Sequence, residues 1–192
     1  MKLFLRLGLT LLGFCVVATA LLAYVNSMTK PLIDEHQKTA AEQTMSRLIP
    51  KAVFEPITIH TGKDSLVYYI AKDEKTGEIK GYTFTAAKPG YSSMVKTMAA
   101  IDTNFKIINI QVIEQSETPG LGANCTKPEF SAKFPGLSPD DLILAKDGGK
   151  FVGITGATIT TRAVTNSLRE AIKLIQKDVE SRTTTSSEEV QK

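Results

Sequence analysis

Metal ligands and disulfide partners are scarce in this chain of 192 residues, which has two histidines, two cysteines and no tryptophan. His36 and His60 stand alone, so the sequence holds no Cys/His cluster with the spacing of a metal site. Cys15 lies in a long apolar run, where we expect an apolar membrane residue. Cys125 lies in a distant polar stretch, where the default is an exposed loop thiol and the alternative is a position near a cofactor. A disulfide between the two is not expected, which excludes a disulfide-stapled scaffold.

The chain also lacks concentrated charge and the common nucleotide-binding fingerprints. Its net charge is only +3. Such a chain offers no basic face for nucleic acid, so we expect no nucleic-acid partner. No Gly-x-x-x-x-Gly-Lys sequence is present, which excludes a P-loop. Gly148, Gly149 and Gly153 lack the preceding strand and the spacing of a dinucleotide-binding turn.

A long uncharged run extends from Leu7 to Val25. As an α-helix it would span about 28 Å, close to the thickness of the hydrocarbon core. Lys2 and Arg6 precede the run, and the positive-inside rule then keeps the N-terminus cytoplasmic and exports the rest of the chain. We therefore predict a cytoplasmic tip and a single-pass anchor over residues 1–28. The alternative is a cleaved secretory signal, since Ala18-Thr19-Ala20 fits the small-x-small rule; it exports the same domain.

Residues 29–50 have the composition of a helical stalk. Thr29-Lys30-Pro31 has the features of a helix start, with a capping hydroxyl and a proline in the first turn. Residues 32–49 contain neither glycine nor proline, and Pro50 ends the helix. The stalk either begins at this cap or continues the membrane helix.

β-branched and aromatic residues predict two antiparallel β-hairpins in the domain assigned to residues 51–180. The first hairpin pairs Leu66 to Ala71 with Ile79 to Ala86, and the second pairs Met94 to Ile101 with Lys106 to Ile113.

A C-terminal helix that begins shortly after Thr158 is predicted by apolar residues at three- and four-residue spacing. They are Val164, Leu168, Ile172, Ile175 and Val179. Residues 181–192 are mainly Ser, Thr and charged residues and are expected to form a flexible tail. The whole pattern predicts an α+β fold, with a transmembrane helix followed by one domain whose antiparallel hairpins pack on helices.

Four hydroxyls crowd the start of this helix, in the segment Thr155-Gly156-Ala157-Thr158-Ile159-Thr160-Thr161. Glycine permits a tight turn and the close approach of a ligand, and the small alanine leaves room. The helix N-terminus offers unpaired N–H groups that favour a phosphate, to which Arg162 could add a positive charge. Threonines also cap helices, and the spacing alone favours that structural role over a phosphate site.

The segment Thr155-Gly156-Ala157-Thr158 resembles the flavinylation motif Asp-x-x-Ser/Thr-Gly-Ala-Thr of the FMN-binding domain family. A second signature of that family, Glu-Thr-Pro-Gly-Leu-Gly, is intact as Glu117 to Gly122. The family includes the G subunit of the Rnf electron-transport complex and the C subunit of the sodium-pumping NADH:quinone reductase. The N-terminal anchor and Gly90-Tyr91 are also similar to the Rnf G subunit. The resemblance covers nearly the whole chain, apart from the tail.

This resemblance implies a covalently bound FMN, joined through its phosphate to Thr158 by a dedicated flavin transferase. A neighbouring hydroxyl, Thr160 or Thr161, is the alternative attachment site. The other implied cofactor-binding residues belong to the two signature regions. They are Thr155, Gly156, Ala157 and Thr161 in the first, and Glu117, Thr118, Gly120 and Leu121 in the second. For Glu117, a hydrogen bond to the flavin competes with a role in structuring its own loop.

The resemblance further implies an electron-carrying subunit of a Rnf-type ion-translocating oxidoreductase, on the periplasmic face of a bacterial inner membrane. Its partners would be the other membrane and peripheral subunits, and no catalytic acid, base or nucleophile is expected in this chain. A component like the quinone-reductase C subunit, or another exported FMN carrier, is one alternative. A non-redox anchored binding module is another, because Val152 stands where the motif has aspartate and Gln115 where a histidine often precedes the second signature.

Overall fold

A computed structural model of the chain describes residues 2–61 and 64–189. The chain divides into two compact units, Met1–Gln43 and Thr44–Lys192. Helix α1, Lys2–Leu48, runs through the first unit and ends in the second. Its part from Phe4 onward is long and apolar enough to cross a membrane, with a mean hydropathy of 2.2 over its most apolar window. This agrees with the predicted anchor.

The predicted helix start at Thr29-Lys30-Pro31 is wrong, because Pro31 lies inside the continuous helix α1. The Thr29 hydroxyl does not cap a new helix; it donates to the Val25 carbonyl of the preceding turn at 2.8 Å. Ser27 likewise donates to the carbonyl of Tyr24 at 2.8 Å. The proline removes one backbone donor, and the helix continues past it. The stalk is therefore a continuation of the membrane helix, which ends at Leu48, just before Pro50.

Five strands follow and form one antiparallel sheet in chain order. They are β1 Ala52–Thr61, β2 Asp64–Asp73, β3 Ile79–Pro89, β4 Met94–Ile101 and β5 Ile107–Glu114. The two predicted hairpins are confirmed as β2 with β3 and β4 with β5. Strand β1 was not predicted. It contains Pro56, which a strand tolerates at the edge of a sheet, where its missing N–H does not interrupt the pairing.

Helix α3, Thr158–Glu189, packs against β3 and β4. Its predicted apolar stripe is confirmed, since four of the five residues are fully buried and Val179 is partly buried against the same core. The α+β prediction is confirmed. The helix continues past residue 180, while the second unit begins at Thr44, ahead of residue 51. The boundaries at residues 51 and 180 therefore coincide with no break in the structure, and the domain limits stay predictions.

The segment between β5 and α3 contributes more to the core than its polar composition predicts. It holds helix α2, Pro128–Ser131, and three 3₁₀ helices, Gly122–Thr126, Pro139–Leu142 and Ala145–Asp147. Its buried side chains include an aromatic cluster. The ring centroid of Phe134 lies 5.2 Å from that of Phe130 and 4.8 Å from that of Phe151. These rings close one side of the domain against the sheet and α3.

Cys125 is part of this core, so the expectation of an exposed loop thiol is wrong. Only 1% of the residue is exposed, and it belongs to the same buried cluster as Phe130. Burial raises the pKa of its thiol to about 11, and the negative charge of Glu117 adds to the shift. The 3₁₀ helix Gly122–Thr126 turns the side chain inward. Cys125 therefore acts as a small apolar core residue and stays protonated at neutral pH.

One partly buried polar contact ties the C-terminal half of α3 to strand β2. The hydroxyl of the fully buried Tyr68 donates to Asp178 Oδ2 at 2.8 Å, and Arg182 Nε donates to the same oxygen at 2.6 Å. Burial, followed by the bond to Asp178, raises the pKa of Tyr68 well above its ordinary value. The phenol is therefore a permanent donor at neutral pH.

Replacing Tyr68 with phenylalanine is expected to lower the free energy of unfolding by about 1–2 kcal/mol, because a bond to a charged acceptor is lost inside the domain. Thermal unfolding of the detergent-solubilised full chain measures the change. Tyr69→Phe is the matched control, since Tyr69 is the next residue of the same strand and is only half-buried. Equal losses in the two variants would contradict the role assigned to the Tyr68 hydroxyl.

Candidate cofactor site

Three separate segments meet at one cleft of about 430 Å³. They are the turn between β3 and β4, the loop after β5 and the N-terminus of α3. The residues that line the cleft are Tyr91, Glu117, Thr118, Leu121, Gly122, Gly156, Ala157, Thr158, Ile159 and Thr160. The two sequence signatures, far apart in the chain, therefore line the same cavity.

Glu117 holds these three segments together. The residue is buried, and its Oε1 accepts from the backbone N–H groups of Ser92 and Ser93 at 2.9 Å each. Its Oε2 accepts from the Tyr91 N–H at 3.1 Å and from the Thr160 hydroxyl at 2.6 Å. Burial alone would raise the pKa of Glu117, but the bonds from Thr160 and these N–H groups outweigh it and lower the pKa to about 2. Both oxygens are therefore engaged by the protein itself, which is the loop-structuring role.

Two glycines allow the backbone to approach this carboxylate. A side-chain carbon at Gly122 would lie 2.7 Å from Glu117 Oε2 and 2.6 Å from Thr160 Oγ1. One at Gly90 would lie 2.6 Å from Glu117 Oε1. Neither glycine was predicted to act at the site, although both stand in the segments that carry the resemblance. Any other residue at these positions would push the carboxylate out of place.

The loop of the second signature is a tight turn that presents Leu121. The Thr118 carbonyl accepts from the Leu121 N–H at 3.1 Å, and Gly120 adopts a φ of +79° between them. Asn124 Nδ2 donates to the Gly120 carbonyl at 2.8 Å. Thr118 and Leu121 line the cleft, whereas Gly120 shapes the turn. Leu121 lies over Gly156, whose φ of +80° and missing side chain permit this contact.

The hydroxyls of Thr160 and Thr161 are both engaged within the protein. That of Thr160 donates to Glu117, as described. Thr161 is fully buried; its hydroxyl donates to the Ala157 carbonyl at 2.9 Å and accepts from the Ile154 N–H at 3.1 Å. The structure does not bring Thr161 to the cleft. It serves the local structure of the helix start instead.

Thr158 is the half-buried threonine between two cavities. It lines the large cleft and also a second one of about 230 Å³, which is bordered by Lys146, Val152, Thr155 and Gly156 among others. Its Oγ1 accepts from Lys146 Nζ at 3.2 Å, a contact that sequence reasoning missed. Thr155 is exposed; it lines the second cleft and does not line the larger one.

Arg162, the cation predicted near a phosphate, is engaged elsewhere. Its Nε donates to Asp147 Oδ2 at 2.9 Å and its Nη2 to Asp147 Oδ1 at 2.7 Å, a bidentate pair. The hydrogen bonds from Arg162 lower the pKa of Asp147. The cation that reaches Thr158 is Lys146, the residue beside Asp147 in the chain.

Comparison with known proteins identifies the family. Residues 2–48 match the profile of the RnfG N-terminal region, and residues 90–173 match that of the FMN-binding domain. The G subunit of the ion-translocating oxidoreductase complex of Methanosarcina acetivorans is 33% identical over 171 residues, which cover 86% of this chain and 91% of the relative. This chain belongs to the G-subunit family of ion-translocating oxidoreductase complexes.

Another member of the G-subunit family agrees with this assignment, and one solved structure shares the fold. The G subunit of the proton-translocating ferredoxin:NAD(+) oxidoreductase complex of Clostridium ljungdahlii is 30% identical, with 84% of this chain and 85% of the relative covered. The crystal structure of the C subunit of the Na(+)-translocating NADH-quinone reductase from Parabacteroides distasonis has a TM-score of 0.53 at 21% identity, covering 70% and 79% of the two chains. It shares the fold. Both signatures lie within the matched FMN-binding domain, which supports FMN as the cofactor.

Proposed function

We propose that this chain is the membrane-anchored electron carrier of a Rnf-type ion-translocating complex, with FMN joined through its phosphate to Thr158. The observation that carries the proposal is the convergence of both signatures on one cleft. Thr158 lines this cleft and, in the part of the chain that the structure describes, its hydroxyl makes no hydrogen bond to Glu117 or to the backbone of the helix start. The hydroxyls of Thr160 and Thr161 do make such bonds, to Glu117 and to the Ala157 carbonyl. The match of residues 90–173 to the FMN-binding domain supplies the cofactor class.

The shape and lining of the cleft suit a flat, amphipathic ligand. Its volume of about 430 Å³ falls in the range of small-molecule sites. Three large apolar residues border it. Tyr91 is 72% exposed, Leu121 45% and Ile159 48%. Such surfaces are available to cover the ring system of a flavin, while the start of α3 provides N–H groups for its phosphate.

FMN, when bound, supplies the redox chemistry. The role of this chain is to hold and orient it. An ester between the Thr158 oxygen and the phosphate forms with the formal loss of one water, by the action of a flavin transferase. The link prevents loss of the cofactor in an exported compartment. No acid, base or nucleophile of this chain is required for electron transfer.

The anchor supports the membrane arrangement that belongs to this proposal. Lys2 and Arg6 precede the apolar part of α1, so the N-terminus stays in the cytoplasm and the FMN domain lies on the outer, periplasmic face of the inner membrane. The domain would then exchange electrons with other membrane and peripheral subunits of the complex.

A competing function is a non-redox anchored module that has lost its flavin. The observation in its favour is Val152, which is 68% exposed and stands at the position of the motif aspartate. A role like that of the quinone-reductase C subunit is less favoured, because the G-subunit relatives are matched over nearly their full length.

Coexpression of the full chain with a flavin transferase tests the proposal. Denaturing electrophoresis under ultraviolet light is expected to show a fluorescent band at the mass of the chain. The purified protein is expected to lose its visible flavin absorption on reduction by dithionite and to regain it in air. A folded protein that is colourless and still assembles with its complex would establish the non-redox function instead.

A further inference from the structure

We propose that Lys146 is the residue that positions the flavin phosphate on Thr158. This inference rests on the proposed function. It names the residue that would bind the phosphate of the attached flavin. Lys146 Nζ lies 3.2 Å from Thr158 Oγ1, the atom that would become the ester oxygen. In the ester, this oxygen is bonded to the phosphorus, which also carries the other phosphate oxygens. The ammonium group of Lys146 can therefore donate hydrogen bonds to those oxygens. Lys146, Thr155, Gly156 and Thr158 all line the second cleft.

The loop that carries Lys146 is held in a fixed path. The Ala145 N–H donates to the Phe151 carbonyl at 2.9 Å, and the Phe151 N–H donates to the Ile143 carbonyl at 3.0 Å. Gly148 adopts a φ of +86° directly after the short helix Ala145–Asp147, which reverses the chain. The base of the lysine side chain is therefore held by backbone bonds on both sides of the turn.

The neighbouring ion pair ties this loop to α3 and frees the charge of Lys146. Asp147 makes its two bonds to Arg162, which lies in the helix that Thr158 begins. The carboxylate closest in sequence to Lys146 is thus neutralised by another cation. Among residues 2–61 and 64–189, no carboxylate forms an ion pair with Lys146. Its positive charge remains available to an anion at Thr158.

A phosphodiester at Thr158 would then lie between two kinds of donor. The N–H groups of Thr158, Ile159 and Thr160, the first three residues of α3, have no acceptor within the helix, and Lys146 Nζ contacts the Thr158 hydroxyl. A charge-assisted contact at a partly exposed site changes an equilibrium or a rate by about three- to tenfold. We expect an effect of that size on the yield of attached flavin when the transferase is limiting.

The test compares Lys146→Gln, Lys146→Arg and a control, Lys150→Gln, in the full detergent-solubilised chain coexpressed with limiting transferase. Lys150 is an exposed lysine of the same loop and does not border the second cleft. The flavinylated fraction is measured by intact mass, and the phosphorus of the attached flavin by ³¹P NMR. Unchanged thermal unfolding establishes that each variant is folded.

Lys146→Gln is expected to lower the flavinylated fraction about three- to tenfold and to shift the ³¹P resonance of the chains that carry flavin. Lys146→Arg is expected to restore both, and Lys150→Gln to change neither. A lower fraction without a ³¹P shift would assign Lys146 to recognition by the transferase and overturn the proposal. An unchanged flavinylated fraction and an unchanged ³¹P resonance in Lys146→Gln would also overturn the proposal about Lys146, while leaving the proposed function of the protein standing. Wild-type protein without flavin would instead refute the proposed function itself.

Discussion

Replacing Glu117 with glutamine is expected to lower the free energy of unfolding by about 2–4 kcal/mol. The buried carboxylate accepts from three backbone N–H groups and from the Thr160 hydroxyl. Glutamine keeps one acceptor oxygen, but its NH₂ group would face donors that need an acceptor. In either orientation of the amide, at least one N–H group of the turn at residues 91–93 would lose its acceptor inside the protein. The melting temperature is expected to fall by roughly 5–15 °C.

Glu117 is also expected to make the free energy of unfolding depend on pH. The pKa of Glu117 falls from an ordinary 4.5 to about 2 in the folded chain. Because the folded value is the lower one, ionised Glu117 stabilises the fold above pH 4.5, and this contribution disappears as the pH falls towards 2. This difference between the unfolded and folded pKa values corresponds to about 3 kcal/mol in the free energy of unfolding. Unfolding measured at pH 7 and pH 3 should show less acid destabilisation in Glu117→Gln than in the wild type.

Glu114→Gln is the matched control for this prediction. Glu114 is an exposed carboxylate in the last position of β5, and it pairs with Lys96 at 2.6 Å on the surface. Surface pairs contribute about 0–1 kcal/mol, so this variant should unfold nearly as the wild type does. If Glu117→Gln proved as stable as Glu114→Gln at pH 7, Glu117 could not be the residue that organises the cleft.

Replacing Thr158 with alanine is expected to abolish covalent flavin while leaving the fold intact. Within residues 2–61 and 64–189, the side-chain contact of the Thr158 hydroxyl is with the exposed Lys146, so stability should change by about 0.5 kcal/mol or less. The fluorescent band on a denaturing gel should disappear completely. Thr160 and Thr161 are not expected to replace it, because the Thr160 hydroxyl is engaged by Glu117 and Thr161 is fully buried.

Thr155→Ala supplies the control for the loss of the band. Thr155 is an exposed threonine of the same motif that does not line the larger cleft, so its removal should leave the band in place. Persistence of fluorescence in Thr158→Ala would mean that another hydroxyl accepts the flavin. Loss of the band in both variants would point to disruption of the motif rather than to one attachment atom.

Periodic patterns in the sequence predicted the main secondary-structure elements of the protein. The uncharged run, the two hairpins and the stripe from Val164 to Val179 each repeat one local preference over many residues. The hairpins and the stripe were confirmed, and the run lies in a helix long and apolar enough to cross a membrane. Strand β1 has a weaker pattern, interrupted by Pro56, and was missed. The start at Thr29 was wrong because a proline in a long helix and a proline at a helix start look alike in sequence.

The two signatures that line the cleft could be recognised in the sequence, but the contacts between the segments could not be predicted. The two signatures mark Thr158 and Glu117 by resemblance. The bonds of Glu117 to Ser92 and Ser93, and of Thr158 to Lys146, join segments distant in the chain and follow no period. Arg162 stood close to the motif in sequence, yet Asp147 engages it in the folded chain. Such pairings depend on the path of the loop between β5 and α3, for which composition predicts only a polar stretch.

The most direct measurement of the central claim is the intact mass of the full chain purified after coexpression with a flavin transferase. A covalent phosphoester predicts a gain of one FMN less one water, and fragmentation should place that gain on Thr158. An unmodified mass, or the same gain on a different residue, would contradict the account.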